Sequence, residues 1–101
     1  MGRRKKTRSI VMFGRGAGHT YGFDVTVSVY VNGVFQARLG PCRGGDSYAF
    51  QMGKEWLDEN GFLPGLIHHE NGNDEGLSYW AERNGCSVIQ EFAECGRMRD
   101  I

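Results

Sequence analysis

Phe23-Asp24-Val25-Thr26-Val27-Ser28-Val29-Tyr30-Val31-Asn32-Gly33-Val34-Phe35-Gln36-Ala37-Arg38-Leu39 is the stretch that decides the fold. Phe23, Val25, Val27 and Val29 alternate strictly with Asp24, Thr26, Ser28 and Tyr30. A period of two sends successive side chains to opposite faces of a strand, so the valines form one buried face. Asn32-Gly33 marks a hairpin turn, because both residues tolerate positive φ. Two registers compete. A two-residue turn pairs Val31 with Val34 and Val29 with Gln36, and it sets Gln36 and Arg38 on the valine face. A three-residue loop, Val31-Asn32-Gly33, pairs Val29 with Phe35, Val27 with Ala37 and Val25 with Leu39, all apolar. A slip of one residue turns every side chain over, so burial favours the three-residue loop, with Gly33 left-handed in a bulge. Tyr30 then lies on the polar face beside Thr26 and Ser28. An exposed aromatic there can stack on a base or fill a partner's pocket.

Toward the N-terminus, Ile10 to Phe13 is apolar and β-branched, a short strand. Gly14-Arg15-Gly16-Ala17-Gly18-His19-Thr20-Tyr21-Gly22 reads as a mobile loop. Gly14-x-Gly16-x-Gly18 follows a strand, as a phosphate loop does. A phosphate loop needs a helix N-terminus behind it, however, and here the next element is a strand. Arg15 and His19 can still reach a phosphate from such a loop.

Toward the C-terminus, Asp46 is placed to cap a helix whose stripe is Ala49, Met52, Gly53, Trp56 and Leu57. Asn60-Gly61 stops it. Phe62 to Ile67 reads as a short strand. A second helix is expected from Asp74 to Asn84, with Leu77, Trp80 and Ala81 on one face and Asn84-Gly85 as its stop. Cys86 to Phe92 reads as the last strand. Trp56-Leu57-Asp58-Glu59-Asn60-Gly61 and Trp80-Ala81-Glu82-Arg83-Asn84-Gly85 echo one another 24 residues apart. Two helix endings with the same cap account for the echo. The sequence therefore predicts an α+β fold with elements in the order β-β-β-α-β-α-β. Its sheet is antiparallel-dominated, both helices pack on the valine face, and Trp56 and Trp80 lie in the core. Residues 1–8 read as a flexible basic tail, 9–95 as a single domain and 96–101 as a C-terminal tail.

A chain of 101 residues holds one domain with one modest core. It has no apolar run long enough to span a membrane. The stretch after the basic start is too short for a secretory signal. Three cysteines, Cys42, Cys86 and Cys95, form no CxxC pair and read as free thiols in a reducing cytoplasm. Net charge is zero but unevenly spread. Residues 1–54 hold nine Lys/Arg against Asp24 and Asp46, a balance of +7. Residues 55–101 hold Arg83, Arg97 and Arg99 against ten acids, a balance of −7. The distribution points to a two-signed surface. Arg3, Arg4, Lys5, Lys6 and Arg8, with Arg15, are the candidate contacts to nucleic acid or phosphate, because clustered cations attract phosphate backbones without reading sequence. Tyr30, Glu55, Asp58 and Glu59 are the candidate partner contacts, the three acids projecting from the polar side of a helix.

No complete catalytic set emerges, and no cofactor or structural metal site is expected, because the cysteines and histidines lack the spacing such sites use. Ile67-His68-His69-Glu70-Asn71-Gly72-Asn73 resembles part of an HNH nuclease motif. That resemblance implies His69 as general base for a water attacking a metal-bound phosphodiester. The later histidine of the motif is replaced here, with Asn84 the nearby substitute. In size and architecture, a hairpin from Val25 to Leu39, an amphipathic helix from Asp46 to Asn60 and an acidic second half, the chain resembles small phage or mobile-element proteins of the anti-CRISPR and anti-defence kind. This resemblance implies a cytoplasmic, non-enzymatic inhibitor that occupies a surface of a nucleoprotein or defence complex. The other readings are a degenerate HNH-type nuclease around His68 and His69, and a nucleic-acid-binding module led by the basic N-terminal arm.

Overall fold

The computed structural model describes residues 6–97 and 101. Three strands, β1 (Ser9–His19), β2 (Gly22–Val31) and β3 (Val34–Arg43), are followed by helices α1 (Asp46–Glu59) and α2 (Leu77–Asn84) and by strand β4 (Ser87–Glu94). The sheet order is β3-β2-β1-β4. β1 and β3 pair antiparallel with β2, and β4 pairs parallel with β1. The fold is thus α+β with a mostly antiparallel sheet and two helices. The connection from α1 to α2, including Phe62 to Ile67, holds no strand. It still feeds the core, with Leu63 and Leu66 buried.

The valine face is the core. Val25, Val27 and Val29 are wholly buried, together with Ile10 and Met12 of β1 and Ala49 and Leu57 of α1. Leu77, Trp80 and Ala81 join them from α2. Trp80 is almost wholly buried, and its indole N–H donates to the Pro64 carbonyl at 2.9 Å. Trp56 is only half-buried and stacks on Phe62, with ring centroids 5.7 Å apart. α1 starts one residue earlier than its expected cap. Gly45 is the N-cap, while Asp46 opens the helix and accepts from the Ser47 N–H at 2.7 Å. Both helix ends justify their echo. Asn60 donates its side-chain amide to the Trp56 carbonyl, and Asn84 does the same to Trp80, each at 2.8 Å. Gly61 and Gly85 are left-handed behind them.

Two expectations are corrected. The first is the hairpin register. Asn32 (φ 51°) and Gly33 (φ 81°) form a two-residue turn, with Val31 opposite Val34 and Tyr30 opposite Phe35. Gln36 then bulges out of register, so Val29 meets Ala37 and Val27 meets Leu39. Gly40 and Pro41 make a second bulge, after which Val25 meets Cys42. The bulge at Gln36 reconciles the tight turn with apolar pairing, while the turn itself sets Phe35 opposite Tyr30, on the face away from the core. The second correction concerns Gly14 to His19, which is strand rather than loop. Gly14 and Gly16 lie under aromatic rings. A Cβ on Gly16 would sit 2.3 Å from Phe23 Cε1 and 2.7 Å from Phe92 Cζ. The glycines make room for Phe23 and Phe92 on the core side of the sheet.

Candidate functional site

Helices α1 and α2 contribute to one core on the valine face. Among the described residues no helix covers the other face. Pairing across the four strands lines up Ile89, Val11, Tyr30 and Phe35 in one row on that open face. Period two brings Phe13 to the next row, flanked by Glu91 and Ser28, with Arg38 beyond Ser28. Arg15 lies in the row after that. Phe13, Phe35 and Ile89 are 40%, 53% and 51% exposed. Tyr30 is half-buried because its ring is held edge-on between two others. Its centroid is 5.8 Å from Phe13 and 5.5 Å from Phe35, both T-shaped. Edge-to-face contacts fix ring orientation as well as area. The result is an apolar patch of two adjacent rows, running from one sheet edge to the other with three aromatics, on the face opposite the core. Contiguous exposed apolar surface of this kind marks interaction sites.

The basic arm reaches the same end of the sheet. Asn32 clasps it, donating to the Lys6 carbonyl at 3.0 Å and accepting from the Arg8 and Ser9 N–H groups at 2.8 and 3.2 Å. Thr7 anchors it to the fold through the Phe62 carbonyl at 2.8 Å. Lys6 and Arg8, with Ser9 and Asn32, line an open depression of about 440 Å³. Both cations are exposed. At the far end the open face closes. Ala17 and Thr26 are buried there, as is Ile101, whose carbonyl accepts from Arg38. His19 is not available to a ligand phosphate. Its Nε2 lies 3.1 Å from Asp24 Oδ1, and Arg43 Nε lies 3.5 Å from the same oxygen.

Four residues singled out from sequence therefore come together: Lys6, Arg8, Arg15 and Tyr30. Arg3, Arg4 and Lys5 lie outside the described residues. Phe13, Phe35, Val11 and Ile89 complete the face and were missed. Phe35 is placed there by the two-residue turn, and Phe13, within the expected strand, by the pairing of β1 with β2; Arg15 needs β1 to continue through the glycines.

The acids sit elsewhere. Glu55 and Glu59 of α1 are exposed and, with Leu39, Met52 and Trp56, line a shallow depression of about 210 Å³ beside β3. Asp58 is engaged, since His68 Nε2 lies 3.1 Å from its carboxylate. His68 Nδ1 lies 2.9 Å from Asp74, so the ring ties the end of α1 to the loop before α2. That hydrogen bond holds the Asp74 carboxyl below its ordinary range. Glu75 is held low by Arg83, which donates to both of its oxygens at 2.6 and 2.8 Å.

Asn84 faces its own helix, His69 offers its backbone N–H to Asp74, and His68 is shared by two carboxylates. Among the described residues no three His, Cys, Asp or Glu side chains gather as a metal-ligand group. Compared with protein-family models, curated proteins and solved structures, the chain matches none.

Proposed function

We propose that this chain is a non-enzymatic binding protein whose contact surface is the open face of its sheet, and that its partner is a nucleoprotein or nucleic-acid complex. One observation carries the reading: an apolar patch with three interlocked aromatics lies beside the basic arm. Aromatic anchors supply most of the energy at interfaces, and cations at the rim steer association with a polyanion. The charge split of the sequence supports it. Lys6, Arg8, Arg15 and Arg38 border or share the open face, while Glu55, Glu59 and the loop carrying Glu70 and Asp74 lie with the helices.

The test is co-sedimentation with a nucleoprotein fraction before and after nuclease treatment. Wild type and a Glu55→Lys, Glu59→Lys variant are expected to co-sediment alike. Phe35→Asp is expected to lose at least about 2 kcal/mol of binding, as a buried aromatic anchor does. Equal binding by Phe35→Asp refutes the reading.

The acidic-rimmed depression favours a second reading. Leu39, Met52 and Trp56 form an apolar floor, and Glu55 and Glu59 a negative rim, suited to a long cationic side chain of a nucleic-acid-binding protein. An inhibitor of the anti-defence kind would use that side. The reversal variant then loses binding and Phe35→Asp keeps it.

A further inference from the structure

We infer that the open sheet face binds single-stranded nucleic acid, with bases stacked on Phe13, Tyr30 and Phe35 and phosphates held by Lys6, Arg8 and Arg15. The inference rests on the reading of this face as the contact surface, and it names the ligand.

Geometry limits what the face accepts. A base offers an apolar π-face and a charged backbone, and aromatic rings beside cations meet both demands. Phe13 and Phe35 flank Tyr30 at 5.8 and 5.5 Å, so the three rings form a continuous track across three strands, β1, β2 and β3. Each flanking ring is about half exposed, which leaves its outer surface open to stacking. The track lies one row from Ser9, where the clasped arm presents Lys6 and Arg8. Arg15 stands two residues along β1 from Phe13, on the same face. A duplex is excluded as the main ligand, because its base faces are hidden in the stack. A second copy of this chain fits less well. Lys6, Arg8, Arg15 and Arg38 around the track outnumber the acids of that face, Glu91 and Asp24, so two copies would bring like charges together.

Fluorescence anisotropy with short labelled oligodeoxyuridylate and oligouridylate tests this, with a short duplex as comparison. Both single strands are expected to bind, and the duplex more weakly by at least about tenfold. Preference for one single strand identifies the sugar the face prefers. Phe35→Ala and Tyr30→Ala should each weaken binding by roughly 5- to 100-fold, the range for losing one stacked base. Phe35→Tyr should restore it, while melts of the exposed-site variants match wild type. Log affinity should fall with log salt at about 0.7 per neutralised phosphate, so three cations give a slope near −2. Lys6→Ala with Arg8→Ala should reduce that slope by about 1.4.

Three results overturn the inference. One is no single-strand binding. Another is duplex binding as tight as single-strand binding. The third is a Phe35-dependent dimer in light scattering that binds no oligonucleotide. If oligonucleotides fail to bind but Phe35→Asp still abolishes nucleoprotein co-sedimentation, the ligand is wrong and the contact surface stands. If Phe35→Asp changes neither, both fall.

Discussion

Replacing Gly16 with alanine tests the reading of β1 most directly, because loop and strand predict opposite signs. In a mobile loop, Gly→Ala at a compatible φ stabilises by about 0.4–1 kcal/mol, by narrowing the unfolded ensemble. In the strand, the new methyl would lie 2.3 and 2.7 Å from Phe23 and 2.7 Å from Phe92. Both rings would have to shift, and each is packed on a neighbour. Phe92 is packed edge-on against Phe50, with centroids 6.4 Å apart, and Phe23 lies against Phe92 at 6.5 Å. Overpacking of this kind costs about 1–3 kcal/mol. With a mid-range entropic gain of about 0.7 kcal/mol subtracted from a mid-range cost of about 2 kcal/mol, a net loss of about 1.3 kcal/mol remains. For a domain of this size that lowers Tm by roughly 5–10 °C. Gly18→Ala is the internal control, since its Cβ would meet Phe23 at an ordinary 3.6 Å. It should stay within about 0.5 kcal/mol of wild type. Circular-dichroism melts of the two variants decide the matter. An unchanged or raised Tm for Gly16→Ala would refute the packing argument.

Two further predictions concern the loop and the turn. The Asp74 carboxyl, held low by the His68 hydrogen bond, favours the folded state above the ordinary aspartate pKa, and that contribution is lost as pH falls through its lowered folded value. A carbon-detected NMR titration should place the Asp74 midpoint below that of a free aspartate, and His68→Ala should move it upward; no movement would mean the contact is not formed in solution. Asn32→Ala should cost about 1–2 kcal/mol in urea unfolding, from a left-handed φ and three lost hydrogen bonds, whereas Asn32→Gly keeps the turn and should cost less.

The parts of the fold legible in the sequence are those where local chemistry and burial agree. Val25, Val27 and Val29 are buried because their alternation leaves no other face for the core. The ends of α1 and α2 follow from Asn-Gly, and the structure adds why the pattern repeats: an asparagine amide reaches back to the tryptophan carbonyl four residues earlier in each. The hairpin register was not legible, because two rules conflicted. Asn32-Gly33 asks for two residues in the turn, apolar pairing asks for three, and the chain satisfies both by bulging Gln36. Nothing in residues 34–38 marks which one steps out of register. β1 was cut short for a related reason. Glycines weaken a strand on their own, and only Phe23 and Phe92, distant in sequence, supply the packing that holds Gly14 and Gly16 there. The aromatic face depends on the register, because only the two-residue turn sets Phe35 beside Tyr30.

The same arrangement explains why the open face can serve binding without burdening stability. Everything that closes the core lies on the helical side. Trp80 is tied to Pro64, Arg83 to Glu75 and the Gly65 carbonyl, and His68 joins α1 to the loop. The sheet is stapled from one side, and its open rows carry side chains that the core does not need. Phe13, Phe35 and Ile89 remain about half exposed in the folded chain, so truncating them removes little buried surface. Keeping such residues on a soluble surface carries an aggregation hazard. On the proposed reading a partner removes that hazard, because it would cover the three aromatics while the cationic border meets its phosphates.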